Sequence, residues 1–208
     1  MERIVFDLIG VLTKESYFAT KTLYPLIKDK ISYDQFKKRY ILYCVGLISN
    51  KEFWEDVVEE EKIAKFEHKL FKNIVKYDNT LISLIRKLEK EGAYLYLASE
   101  IPHKWGGLML KMLGIESSFK RKFYSSKIRH TKPFLKFFKE VFESNDLKDK
   151  DFFYIDDTEA NLRVISKYKF TIKTILYSPE SSKTISDKHI LKAKNAGELK
   201  HILYEKNR

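Results

Sequence analysis

Apolar positions change their period along the chain. Residues 4–6 form a short apolar run that ends at Asp7, and Gly10 soon follows, the pattern of a buried strand running into a loop. From about residue 13 to residue 76 the period is helical. Phe53, Val57 and Val58 recur at helical spacing, as do Phe66, Leu70, Phe71 and Ile74. Ser32 with Gln35, and Ser49 with Glu52, have the spacing of capping boxes, in which the two side chains satisfy N–H groups at a helix start. Gly46 separates two of the helices. The pattern predicts three or four helices here, packed as a small bundle.

Beyond residue 80 helices and strands alternate. Residues 81–91 read as an amphipathic helix closed by Gly92, and residues 94–98 as a buried strand ending at Ser99. A helix over 102–113 stops at Gly114. A short strand at 123–125 and a helix over 133–142 follow. A strand at 152–155 runs into Asp156 and Asp157, then come a helix over 159–167, a strand over 171–177 and a last helix over 198–204. Such alternation predicts an α/β fold: a Rossmann-like core with a parallel sheet and helices on both faces. The core takes residues 1–12 and 80–208, and residues 13–79 form an inserted all-helical unit.

Length, composition and charge narrow this further. A chain of 208 residues can build one sizeable core with a small insertion. The longest apolar segment, residues 41–48, falls far short of the ~20 residues a membrane helix needs. The early strand at 4–6 leaves no room for a secretory signal. Cys44 is the single cysteine, so no internal disulfide forms and a cytoplasmic setting is expected. Forty basic against 29 acidic residues give a net charge of +11, which raises the possibility of a nucleic-acid partner. The lysines are dispersed rather than blocked together, which points to solvated helix faces instead. The abundance of Lys, Glu, Ile and Tyr, with Gln35 the only glutamine, is the bias of a thermophile. The sequence does not separate a monomer from a homodimer.

In open parallel sheets ligands bind beyond the carboxyl ends of the strands. There the pattern places Asp7, Ser99 and the pair Asp156-Asp157, with Lys132 at the head of a helix between them. Three carboxylates on loops suit Mg²⁺, a hard cation, and a lysine beside them suits a phosphoryl oxygen. Each residue also has a plainer reading: an aspartate capping a helix, a loop hydroxyl, a solvated lysine.

Taken in order, Phe6-Asp7-Leu8-Ile9-Gly10-Val11-Leu12, Leu97-Ala98-Ser99, Thr131-Lys132-Pro133 and Tyr154-Ile155-Asp156-Asp157-Thr158-Glu159-Ala160-Asn161-Leu162 resemble the four signature motifs of the haloacid dehalogenase superfamily. The stretch from Tyr43 to Trp54 resembles a segment of the helical cap found in its phosphatase-like members. The resemblance implies hydrolysis of a small phosphorylated compound. Asp7 would be the nucleophile, forming an aspartyl-phosphate. Ser99 would bond a phosphoryl oxygen, and Lys132 would neutralise charge on the phosphoryl group and on Asp7. Mg²⁺ would be held by Asp7, Asp156, Asp157 and the backbone carbonyl of Ile9.

Two positions depart from the pattern. Phosphatases of the superfamily carry an aspartate where Ile9 stands, and that group protonates the leaving alcohol and activates water. Ile9 does neither. The chain is then a phosphatase using another acid or good leaving groups, a dehalogenase or phosphonatase, or a non-catalytic binding protein on the same fold. Asp156-Asp157 speaks against the dehalogenase, since adjacent carboxylates repel without a cation. A phosphonatase needs a cap lysine, and nothing singles out Lys37 or Lys38. The second departure is Glu100, after the motif serine. It is placed among the substrate-binding residues and is a candidate for the missing acid, though the plainer reading is a surface Glu beside His103 and Lys104. Arg129 stands where Gly is common, and either meets a substrate anion or is exposed. His68, His103, His130, His189 and His201 show no metal-ligand spacing. Phe53 and Trp54 read as cap core, Cys44 as buried, and Trp105 as either closing the pocket or packing under the cap.

Overall fold

The apolar strands assemble because each carries alternating side chains for two cores. β1 is Arg3–Phe6, β2 Tyr94–Ser99, β3 Phe119–Tyr124, β4 Phe153–Asp156, β5 Lys173–Tyr177 and β6 Ile190–Ala193. They form one parallel sheet in the order β3-β2-β1-β4-β5-β6. The computed structural model describes residues 2–168, 172–179, 187 and 189–205.

On one face Phe6, Leu97 and Ile155 pack against α4 (Asn79–Lys90), α5 (His103–Leu113) and α9 (Ala196–Glu205). On the other, Val5, Tyr96 and Tyr154 pack against α7 (Leu135–Phe142) and α8 (Glu159–Tyr168). Val5 pairs with Tyr96 on one side and Tyr154 on the other, and β1 and β4 are the two central strands of the sheet. Being covered on both faces, β1, β2 and β4 read as continuous apolar runs.

Between β1 and β2 lie α1 (Tyr33–Cys44), α2 (Asn50–Trp54) and α3 (Ile63–Ile74), preceded by shorter helical turns. Both predicted capping boxes form: Ser32 Oγ accepts from Gln35 N, and Ser49 Oγ from Glu52 N, with the return bonds also made. Gly46 follows α1 at φ 67°, the left-handed region that suits glycine. A Cβ there would lie 2.2 Å from the Ser126 carbonyl oxygen, so glycine also lets this turn approach α6 (Ser125–Ile128).

Several boundaries differ from the expectation. The short strand expected at 123–125 begins four residues earlier, and Ser125 opens α6 instead. β6 was not expected at all. Both are edge strands carrying lysines, which protect an edge but mask its apolar signal. The helix containing Phe53 ends at Trp54, and Asp56 takes a left-handed φ of 65°. α7 starts at Leu135 rather than residue 133, and α9 two residues before Glu198. The expected start of the fifth strand, Thr171, lies outside the described residues.

Candidate active site

Asp7 is fixed by its strand and its loop. Its backbone N–H donates to the Ile155 carbonyl at 2.9 Å, which continues β1 against β4 and sets Asp7 beside Asp156. Its Oδ1 accepts from Leu8 N at 2.6 Å. The loop then turns through Gly10 at φ 81°, and Thr13 N returns to the Leu8 carbonyl at 2.9 Å. A Cβ on Gly10 would lie 2.1 Å from Asp157 Oδ2. Glycine here therefore serves both the left-handed turn and the close passage past Asp157.

Lys132 links two strand ends. Its Nζ lies 3.0 Å from Asp7 Oδ2 and 2.7 Å from Asp156 Oδ2, with only 7% of the residue exposed. Phe137 and Tyr154 pack their rings against the ammonium. Burial alone would lower its pKa, but Asp156 and Asp7 hold it well above the usual lysine value. Asp156 is fully buried, and its Oδ1 accepts from Thr158 N and Asn161 Nδ2, both at 2.9 Å. Its two oxygens are thus already engaged by donors. Asp157 is less enclosed, and Ser16 and Thr158 hydrogen-bond to it.

Asp7, Asp156 and Asp157 each offer an oxygen within 4.8 Å of the others, the one such His, Cys, Asp or Glu group among the described residues. Burial, set against Lys132 and reinforced by the other two carboxylates, pushes Asp7 up to about 7. Burial and then Asp156 push Asp157 up to about 6. Three carboxylates face one ammonium, which leaves two unbalanced negative charges. That is the charge of one divalent cation, and an all-oxygen donor set suits Mg²⁺. Ser99 is fully buried at the end of β2, and its hydroxyl beside Asp7 favours the ionised carboxylate.

Asp7, Ile9, Ser99, Glu100, Lys132 and Asp157 line one cavity of about 250 Å³. Asp156 is fully buried and does not line it. The opposite wall comes from the inserted segment, through Tyr17, Phe18, Ala19, Thr20 and Tyr40. Glu100 is not the surface residue that its charged neighbours suggest: it lines the cavity, half-buried, and its Oε2 accepts from Lys132 N at 3.1 Å. Lys37, Lys38 and Arg129 are exposed and none lines the cavity. Arg129 instead takes a left-handed φ of 67° at the end of α6, a conformation glycine adopts more readily. None of the five histidines joins the carboxylate group.

Ser16 and Asn161 also line the cavity, and sequence reasoning missed both. Asn161 lies on the first turn of α8, five residues after Asp156, a spacing that could have flagged it. Ser16 carries no such signal. Trp105 packs under the inserted helices, with Tyr43, Phe53, Trp54 and Phe71 around its ring. Cys44 is buried, as expected. Glu67, from α3, is buried at the same junction and accepts from Trp54 Nε1 at 2.6 Å and Trp105 Nε1 at 2.5 Å.

The family model for haloacid dehalogenase-like hydrolases matches residues 4–175. No curated protein matches the chain in sequence. Among solved structures, a phosphatase of that family from Thermococcus onnurineus aligns with a TM-score of 0.68 at 17% identity, covering 98% of each chain. A family enzyme from Bacteroides thetaiotaomicron, in complex with magnesium and inorganic phosphate, aligns at 0.63 and 22% identity, covering 89% of this chain and 98% of that one. An L-2-haloacid dehalogenase from Xanthobacter autotrophicus with chloropropionic acid covalently bound aligns at 0.63 and 10%, covering 99% of each. At these identities the likeness is one of fold.

Proposed function

Because the chain belongs to the haloacid dehalogenase-like hydrolases, we propose that it is a magnesium-dependent phosphatase acting on a small phosphorylated compound through Asp7. The observation that carries this reading is the carboxylate group Asp7, Asp156 and Asp157 around a single buried lysine. Asp7, Asp157 and the Ile9 carbonyl would hold the cation, with Asp156 positioning Lys132. When bound, Mg²⁺ supplies charge that neutralises the phosphoryl oxygens. Asp7 attacks phosphorus, Ser99 donates to a phosphoryl oxygen, and Lys132 balances the charge of Asp7 and of the transferred group. The solved relatives with phosphatase and magnesium–phosphate descriptions support this reading. The paired Asp156-Asp157 speaks against the metal-free dehalogenase.

Residues 13–79 act in this reading as a cap over a core of residues 1–12 and 80–208, excluding water during transfer. Their share of the cavity wall supports it. No helix of the described residues is long and apolar enough to cross a membrane. The test is p-nitrophenyl phosphate turnover with and without Mg²⁺. Turnover that needs Mg²⁺ and vanishes in Asp7→Asn is expected. A wild-type chain inert to this substrate at every pH and metal concentration would leave the non-catalytic binding reading, to which Ile9 lends its weight.

A further inference from the structure

Position 9 carries no acid, yet the cavity holds a carboxylate outside the metal-binding group. Asp7 and Asp157 are bound up with Asp156 and Lys132, and that leaves Glu100 as the one lining carboxylate with no such duty among the described residues. It lines the same cavity as Ser99, whose hydroxyl would hold the phosphoryl group. The bond from Lys132 N to its Oε2 pins the side chain against the wall. The cavity is also lined by Tyr17 and, from α1, by Tyr40. The Tyr40 hydroxyl is engaged with Cys44, and burial pushes its pKa well above the ordinary tyrosine value, so it is a poor acid.

Resting on the phosphatase reading, we propose that Glu100 is the catalytic acid and base that Ile9 cannot be. In the first step an Asp7 carboxylate oxygen bonds to phosphorus while the phosphorus–oxygen bond to the leaving group breaks. The Glu100 carboxyl proton passes to the departing oxygen and yields a neutral alcohol. In the second step water bonds to the phosphorus of the aspartyl-phosphate, its proton passes to the Glu100 carboxylate, and the Asp7 carboxylate departs. Phosphate is released and Glu100 is again protonated. The charged or titratable groups around Glu100 are Lys132, Asp156, and Tyr40 and Cys44 from α1. Burial outweighs the pull of Lys132 and raises the carboxyl from its ordinary value, the direction a general acid needs.

The experiment compares p-nitrophenyl, phenyl and n-butyl phosphate in wild type and Glu100→Gln, with Mg²⁺ present. In wild type, log kcat/KM should depend only weakly on leaving-group pKa. In Glu100→Gln, n-butyl phosphate turnover should fall by about 10²–10⁴. p-Nitrophenyl phosphate should then give a burst of one p-nitrophenolate per chain followed by a slowed steady state, because the phenolate leaves unaided but water lacks its base. An equal fall for all three esters without a burst would overturn the assignment and leave the phosphatase reading standing. A steep leaving-group dependence in wild type alone would also overturn it, even if the variant did not fold. A wild type inert to p-nitrophenyl phosphate would remove both readings.

Discussion

Replacing Glu67 by leucine tests whether the inserted helices are tied to the core through one carboxylate. Glu67 is 6% exposed, and Trp54 and Trp105, whose indole N–H groups it accepts, are fully buried. Leucine has similar volume, so packing is largely kept while both donors lose their partner. A buried donor left unsatisfied costs about 1–3 kcal/mol, so the pair costs about 2–6 kcal/mol. Against a total stability of about 5–15 kcal/mol this is a large fraction. For a chain of this size 1 kcal/mol shifts the midpoint by about 2–4 °C, so Tm should fall by roughly 4–24 °C. Removing a buried charge also relieves a desolvation cost, which works in the opposite direction. Glu67→Gln separates the two effects, because its amide oxygen still accepts while the charge is gone. Thermal and urea unfolding followed by circular dichroism should rank wild type and Glu67→Gln well above Glu67→Leu. If Glu67→Leu melted with wild type, or if Glu67→Gln fell as far as Glu67→Leu, the two-indole bridge would not be what holds this junction.

Other perturbations address the site and the scaffold. Asp7 at about 7 and Asp157 at about 6 are raised in the folded chain. The unfolded chain therefore gives up these protons first, so metal-free stability should fall as pH rises from about 4 to 7. On the proposed function Mg²⁺ would bind the deprotonated carboxylates, so its stabilising shift in Tm should be larger at pH 8 than at pH 5, and an equal or reversed shift would refute this. Gly10→Ala puts a Cβ on Asp157 Oδ2 and strains a left-handed turn. Calorimetric titration should show Mg²⁺ affinity reduced by at least about tenfold, the equivalent of 1.4 kcal/mol. Ser32→Ala removes the α1 cap and should cost about 1 kcal/mol in urea unfolding, with Mg²⁺ affinity kept.

The parts of the fold legible in the sequence were those fixed by local chemistry. Gly92 and Gly114 mark helix ends because left-handed residues favour glycine, and the serine pairs mark helix starts for the same kind of local reason. The central strands were visible because burial on both faces makes them continuously apolar. β6 escaped, and β3 was caught only at its end, because edge strands trade that signal for lysines. The candidate site shows the same division. Asp7, Ser99 and Asp156-Asp157 end strands, so a parallel sheet brings them together whatever the loops do. The surface reading of Glu100 failed because charged neighbours in sequence say nothing of which way a loop faces. Glu67 went unnoticed because a buried glutamate in an amphipathic helix is indistinguishable, in one sequence, from a solvated one.

The strand order has a consequence for how the chain is made. β1 is synthesised first and lies at the centre of the sheet, between β2 and β4. Its β2 side closes when residues 94–99 emerge. Its other side stays an open edge until residues 153–156 follow, and an apolar strand with free N–H and C=O groups is a template for wrong partners. The arrival of β4 ends this exposure by pairing with β1, and it also brings Asp156 and Asp157 to Asp7. On the proposed function, acquisition of Mg²⁺ binding during synthesis would thus mark the moment at which β1 loses its open edge.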